Sequence, residues 1–131
     1  MNFSTTVPRT QVRAARALGD YGERLAVRYL CDQGLTILDR NWRCVRGEID
    51  IVALDEGCLV IVEVKTRSTE RFGAPFEAVT RLKLARLRQL SALWRKAADP
   101  RWGGLPVRID VVSILKPRHR PAHIEHLRGV E

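Results

Sequence analysis

The sequence predicts an α/β protein whose elements run α-β-β-β-α-β, with a mixed central sheet flanked by helices. Three observations carry that expectation: an amphipathic stripe near the N-terminus, three strand-like runs in succession, and a second helical stripe before one further strand. A chain of 131 residues with 45% hydrophobic content is enough to bury one core and leaves no room for a second. Residues 1–13 are polar, contain Pro8 and lack periodicity, so they read as a disordered basic tail. Residues 14–131 read as a single domain.

The first helical stripe runs from Ala14 to Gln33. Leu18, Tyr21, Gly22, Leu25, Ala26, Tyr29 and Leu30 recur there at helical spacing, and Gly34 supplies a stop. Glu23 lies beside Gly22 and Ala26, at the edge of the stripe that must be buried. A first strand follows in LTILDRNWR, then two hairpin strands at about 47–55 and 58–66 around Glu56-Gly57. The segment STERFGAPFE, with Gly73 and Pro75, reads as a loop. A second helix is expected from Phe76 to Ala98, with Val79, Leu82, Leu87, Leu90, Leu93 and Trp94 on one side. Arg81, Arg86, Arg88 and Arg95 give that helix a basic surface, and Pro100 with Gly103-Gly104 ends it. PVRIDVVSIL is a further strand, and PAHIEHL adds a short one at the edge. A helix between the third and fourth strands permits a parallel crossover, while the hairpin is antiparallel, so the sheet should be mixed.

Lys and Arg number 23 against 15 Asp and Glu, a net charge of +8. Such a balance favours a polyanionic partner, nucleic acid or an acidic membrane surface. No segment approaches the roughly 20 apolar residues of a membrane span, and the N-terminal stretch lacks the apolar centre of a secretory signal. A cytoplasmic address with no membrane partner is expected. The three cysteines, Cys31, Cys44 and Cys58, show no paired spacing, so disulfides are not.

Within the apolar hairpin, Asp50, Glu63 and Lys65 stand out. A two-residue turn at Glu56-Gly57 sets a register in which Asp50 faces Glu63 and Glu48 faces Lys65, all on one side of the sheet. Facing carboxylates repel, and hard oxygen ligands suit Mg²⁺ or Mn²⁺ better than zinc. Asp50, Glu63 and the carbonyl of Val64 would hold the ion, and Glu23 would be an outer ligand or orient water. Lys65 would orient the attacking water or stabilise charge on a phosphoryl oxygen, which together are the parts for phosphodiester hydrolysis. An E-x-K triplet alone is an ordinary surface ion pair worth about 0–1 kcal/mol; the facing acid inside an apolar run is what argues for a site.

Arg43, Arg46 and Arg67 flank the hairpin ends, where they could contact nucleic-acid phosphates. Lys83 falls on the apolar side of the second helix, where it either reaches the same patch or snorkels to water. Asp110, in an apolar strand, calls for an arginine partner. His119, His123 and His126 lack the further ligands of a zinc site. Trp42, Trp94, Trp102, Phe72 and Phe76 could stack on bases, although Trp94 follows the helical stripe.

The G-E of the first helix, NWRCVRGEIDIVALD, LVIVEVKTR and VRIDVVSI together resemble the YraN-like family of small bacterial proteins. That family is placed in the restriction-endonuclease-like superfamily with the PD-(D/E)xK signature, to which archaeal Holliday-junction resolvases are similar. The resemblance covers roughly residues 19–115, with Ile49 where the nominal signature has proline. It implies a restriction-endonuclease-like core and a Mg²⁺-dependent nuclease site, with Asp50 and Glu63 as metal-binding acids, Lys65 as the catalytic lysine and Glu23 as the helix-borne acid. The expected function is a metal-dependent endonuclease acting on DNA, with branched or junction DNA as a structure-specific substrate. The alternative is a non-catalytic nucleic-acid-binding accessory protein that keeps the fold. A symmetric homodimer would suit a two-fold junction.

Overall fold

The first helix, α1 (Arg9–Asp32), buries Gly22, Ala26 and Leu30 along the stripe that the spacing predicts. In this computed structural model, which describes residues 9–68 and 79–131, the helix begins at Arg9, earlier than the expected Ala14. Residues 9–13 have no apolar period, but Arg, Gln and the alanines that follow are strong helix formers, and propensity extends the helix where packing does not. Residues 1–8 of the expected tail lie outside the described residues.

At its far end α1 closes with a Schellman turn. Gly34 has φ of 92°, Leu35 N–H donates to the Leu30 carbonyl at 3.0 Å, and Gly34 N–H donates to the Cys31 carbonyl at 3.0 Å. Buried Leu30 and Leu35 supply the apolar contact that accompanies this motif.

The strands β1 (Thr36–Cys44), β2 (Gly47–Asp55) and β3 (Cys58–Arg67) follow, then α2 (Arg81–Ala97), a 3-10 turn at Pro100–Trp102, β4 (Val107–Leu115) and β5 (His123–Leu127). Glu56 and Gly57 both have positive φ, 47° and 81°, the backbone that a two-residue hairpin turn demands. The five strands form one sheet in sequence order. Every pairing is antiparallel except β3 with β4, which α2 connects. The expected α/β order and mixed sheet are borne out, with β5 as the short edge strand.

α2 starts later than expected, because Thr80 caps it by accepting from Lys83 N–H at 3.1 Å. Val79 precedes the helix, while Phe72, Phe76 and most of the expected loop lie outside the described residues. Leu84, Leu87, Leu90 and Trp94 of α2 pack on one sheet face with Ile49, Val52, Leu59, Ile61 and Ile109. Ala26 and Leu30 of α1 pack on the other with Ile51, Ala53, Val60, Val62, Val112 and Ile114. Each fully buried Val, Leu or Ile among them contributes about 1.5–3 kcal/mol. Trp42 and Trp102 pack against the α2 cluster, and Trp94 donates its indole N–H to Asp39 Oδ2 at 2.9 Å. Trp94 is a core residue, and Trp42 and Trp102 are partly buried at the edge of the core.

α1 comes close to β3 at Gly22. A Cβ built there would stand 1.9 Å from Thr66 Oγ1, whereas one at Gly19 meets nothing within 4 Å. Gly22→Ala should therefore lower stability by about 1–3 kcal/mol, and Gly19→Ala should raise it by roughly 0.5–1 kcal/mol through helix propensity. Urea denaturation of the two variants checks the contrast, and Thr66→Ala should return part of what Gly22→Ala loses.

Candidate active site

β3 alternates as a strand must. Val60 and Val62 join the α1 side of the core, and Leu59 and Ile61 the α2 side. β2 breaks the rule: Ile51 and Ala53 lie on the α1 side, yet Ile49 lies with Val52 on the α2 side. The strand thus changes face at Asp50. β1 changes face opposite it, since Arg40 reaches Glu23 of α1 while Trp42 packs with the α2 cluster. Between them Asn41 has φ of 51°, a left-handed conformation that asparagine tolerates better than most residues. The pairing passes from Arg40↔Ile51 to Trp42↔Ile49 without Asn41 and Asp50.

The β2–β3 ladder stops at the same place. It runs from Asp55↔Cys58 to Ile51↔Val62, as the expected register requires, while β3 continues beside β4 to Arg67. Past the ladder, Val64 N–H donates to Asp50 Oδ2 at 2.8 Å. The carboxylate takes the role of the missing strand carbonyl. Because the N–H and C=O of a strand residue point the same way, the Val64 carbonyl is turned toward the same gap.

This geometry corrects the expected single patch of four charges. Glu48 pairs with Arg43 of β1, with an ion pair of 3.0 Å, and not with Lys65. Glu63 and Lys65 point to the α2 side, where Glu63 Oε1 lies 3.5 Å from Lys65 Nζ and 3.3 Å from Lys83 Nζ. Asp50 lines a cleft of about 290 Å³ against α1, together with Glu23, Asn41, Arg43, Glu48 and Val64. The extrapolated register fails because alternation holds only while the ladder does.

The two groups of acids still act on each other. Burial and then the charge of Glu63 push the Asp50 carboxyl up to about 6, with smaller contributions from Glu48 and Glu23 and partial relief from the Val64 N–H. Glu23 is held at the cleft by Asn41 Nδ2 at 2.8 Å and by the Arg40 guanidinium at 3.2 Å. Lys83 reaches the Glu63 carboxylate, so its stem crosses the apolar face to a partner and does not simply snorkel. Arg43 borders the cleft, whereas Arg46 borders a separate hollow with Gln89, Leu93 and Lys96 of α2. Arg67 ends β3, its carbonyl accepting from Lys116 N–H at 2.8 Å.

Sequence reasoning missed Arg16, Arg40 and Asn41, all at or around the cleft. The signal available was Asn41, a turn-forming residue inside an otherwise strand-like run. Asp110 has the expected arginine: Arg108 Nε donates to its Oδ1 at 2.9 Å. Its Oδ2 also meets His126 Nε2 at 2.7 Å, and Tyr29 Oη lies 3.2 Å from His126 Nδ1. Burial opposes ionisation of Asp110, but His126, Arg108 and the Gly129 N–H outweigh it and hold the carboxyl down at about 2. Among the described residues no group of three or more His, Cys, Asp and Glu is gathered closely enough to hold a metal ion. A pair of carboxylates completed by a carbonyl and waters, the habit of Mg²⁺, is not such a group.

The model of the family described as Uncharacterised protein family UPF0102 matches residues 22–114, a span that contains Glu23, Asp50, Glu63, Lys65 and Lys83. A UPF0102 protein of Beutenbergia cavernae is 56% identical over 119 residues, covering 91% of this chain and 99% of the relative. One from Kineococcus radiotolerans is 54% identical over 119 residues, covering 91% and 97%. One from an Arthrobacter species is 52% identical over 120 residues, covering 91% and 99%.

The raised Asp50 carboxyl has a consequence for stability. A folded-state pKa of about 6 against an ordinary 3.8 means that the ionised form weighs against the fold fully above pH 6, and that this penalty disappears as the pH falls toward 4. Asp50→Asn keeps an acceptor for the Val64 N–H and carries no charge. It should be more stable than wild type at pH 8 by roughly 1–3 kcal/mol, with the difference closing by pH 4. Urea titrations at the two pH values measure it.

Proposed function

The chain belongs to the UPF0102 family, and from that premise and the geometry at Asp50 we propose that it is a metal-dependent endonuclease that hydrolyses phosphodiester bonds of DNA. One observation carries the reading: a half-buried carboxylate, Asp50, is fixed on the Val64 N–H where β2 and β3 part, and its charge is opposed by burial and by Glu63. A site that resists its own charge is one that a cation would relieve. Support comes also from the order of the elements, which is that of the restriction-endonuclease-like PD-(D/E)xK proteins. The placing of an acid at the end of one hairpin strand and E-x-K on the next supports it as well.

The donors fit a hard divalent ion. Asp50, Glu63 and the Val64 carbonyl would hold Mg²⁺ or Mn²⁺, with water completing the shell. When bound, the ion acts as a Lewis acid on the phosphoryl oxygen and eases loss of a proton from water. Lys65 holds a positive charge beside Glu63 and, freed toward the reacting phosphate, stabilises charge that develops on its oxygens as water adds and the ester oxygen leaves. Glu23, fixed by Asn41 and Arg40, orients water within the cleft. Arg43, with Arg16 beside it on α1, borders the cleft and would hold phosphates of the backbone, while Arg46, Arg67 and Lys83 extend the basic surface toward α2. The net charge of +8 draws a polyanion to all of them.

A second reading has its own observation. Glu63 is already neutralised by two lysines, as it would be in an accessory protein that binds nucleic acid and has lost turnover. Labelled single-stranded, duplex, flap and four-way-junction DNAs, incubated with Mg²⁺ or Mn²⁺, separate the two. Wild type should cut at least one of them, and Glu63→Ala and Lys65→Ala should each lower the rate by at least about a hundredfold. Salt-sensitive binding of every DNA with no cleavage of any would leave the accessory reading.

A further inference from the structure

Glu63 is 7% exposed, and one of its oxygens serves two ammonium groups, Lys65 at 3.5 Å and Lys83 at 3.3 Å. Glu23 has Arg40 and Glu48 has Arg43. Asp50, the fourth acid, is set by the burial around it, by the three other carboxylates and by one backbone N–H. Among the described residues the cations are thus unevenly shared: Glu63 has two, and its neighbour Asp50 is bound to an amide. A divalent ion drawn between Asp50 and Glu63 would meet both ammonium groups, and like charges at such range repel strongly in a partly buried site.

We propose that Lys83 is a built-in competitor for the divalent ion at Glu63, displaced when the ion enters and taken up by a nucleic-acid phosphate. Metal and nucleic acid therefore load together. This inference rests on the reading of the site as metal-dependent. Lys65, two residues from Glu63 on the same strand, is the lysine that the proposed reaction turns to the scissile phosphate, which leaves Lys83 as the competitor supplied by another element. Its backbone is pinned by Thr80 in the first turn of α2, but its side chain is 38% exposed and has a four-carbon stem that can turn outward. Its position also sets it against the helix dipole, since α2 carries Arg81 and Lys83 in its first turn and no acid there. The ion pair with Glu63 offsets that in the empty protein, and a phosphate does so in the complex. Without a phosphate to receive it, release of Lys83 returns a cation to an unfavourable helix end. By linkage, nucleic acid must then tighten metal binding as much as metal tightens nucleic acid.

The test is calorimetric titration of Mn²⁺ into wild type, Lys83→Met, Lys83→Arg and Arg88→Met, each with and without a cleavage-resistant phosphorothioate duplex shown by gel to stay intact over the titration. In the absence of DNA, Lys83→Met should bind Mn²⁺ about tenfold more tightly than wild type. Lys83→Arg, which keeps the charge, should stay near wild type. Arg88→Met removes the same charge from the exposed side of α2 and should change little. DNA should tighten Mn²⁺ binding by wild type and have little effect on Lys83→Met. Wild-type binding of Mn²⁺ that Lys83→Met leaves within twofold would overturn the role of Lys83 and leave the metal site standing. Absence of Mn²⁺ binding by all four proteins, with and without DNA, would overturn the metal reading and this inference together.

Discussion

A single hydrogen bond, from the Val64 N–H to the Asp50 carboxylate, holds the candidate site at the place where the sheet divides. Strands of a sheet satisfy one another's main chain, and a strand that leaves its neighbour exposes donors that water or a side chain must meet. Here the side chain that meets the donor is an acid. Its fixing to β3 brings β2, β3 and the face of α1 into one small region without a loop being needed to build it. Regular strands hold their side chains more tightly than loops do, and a reactive carboxylate gains position from that.

The face change at Asn41 and Asp50 is the second half of the same arrangement. Had both strands kept their alternation, Asp50 would have turned with Val52 toward α2 and away from Glu23. The switch sends it instead to the cleft under α1, where Gly22 allows the helix to come close enough to deliver Glu23. Glu63 and Lys65 stay on the α2 side, within reach of Lys83. Acids on the two faces thus come within electrostatic reach of each other across the sheet, which is how a chain of this size gathers charges from two helices and three strands without opening its core.

Much of this could be read from the residues. The stripes of α1 and α2, the Glu56-Gly57 turn and the alternation of β3 gave the order of elements, and the acids in an apolar hairpin marked the site. What could not be read was decided by contacts between elements. Extension of the hairpin register past Ile51↔Val62 assumed a ladder that ends there, and no local pattern announces where two strands part. The reach of Lys83 depends on how α2 lies over β3, so its spacing alone left two outcomes open. The start of α1 is hidden for the opposite reason: residues 9–13 have helix-forming side chains and no apolar stripe, so the helix extends beyond what it packs on.

The contact of Tyr29 with His126, and through it with the buried Asp110, joins one of the first segments of the sequence to one of the last. Such a link sets an order of assembly. A helix made early in synthesis has its partner for this hydrogen bond only after β5 has left the ribosome, and until then Asp110 has the donors of Arg108 without those of His126 and the Gly129 N–H. Closure of the polar clasp is therefore a late event in folding, and the hairpin that carries Asp50 and Glu63 is formed from neighbouring residues well before it. The charges of the site come together locally and early; the framework that keeps α1 against them is completed from a distance of almost the whole chain.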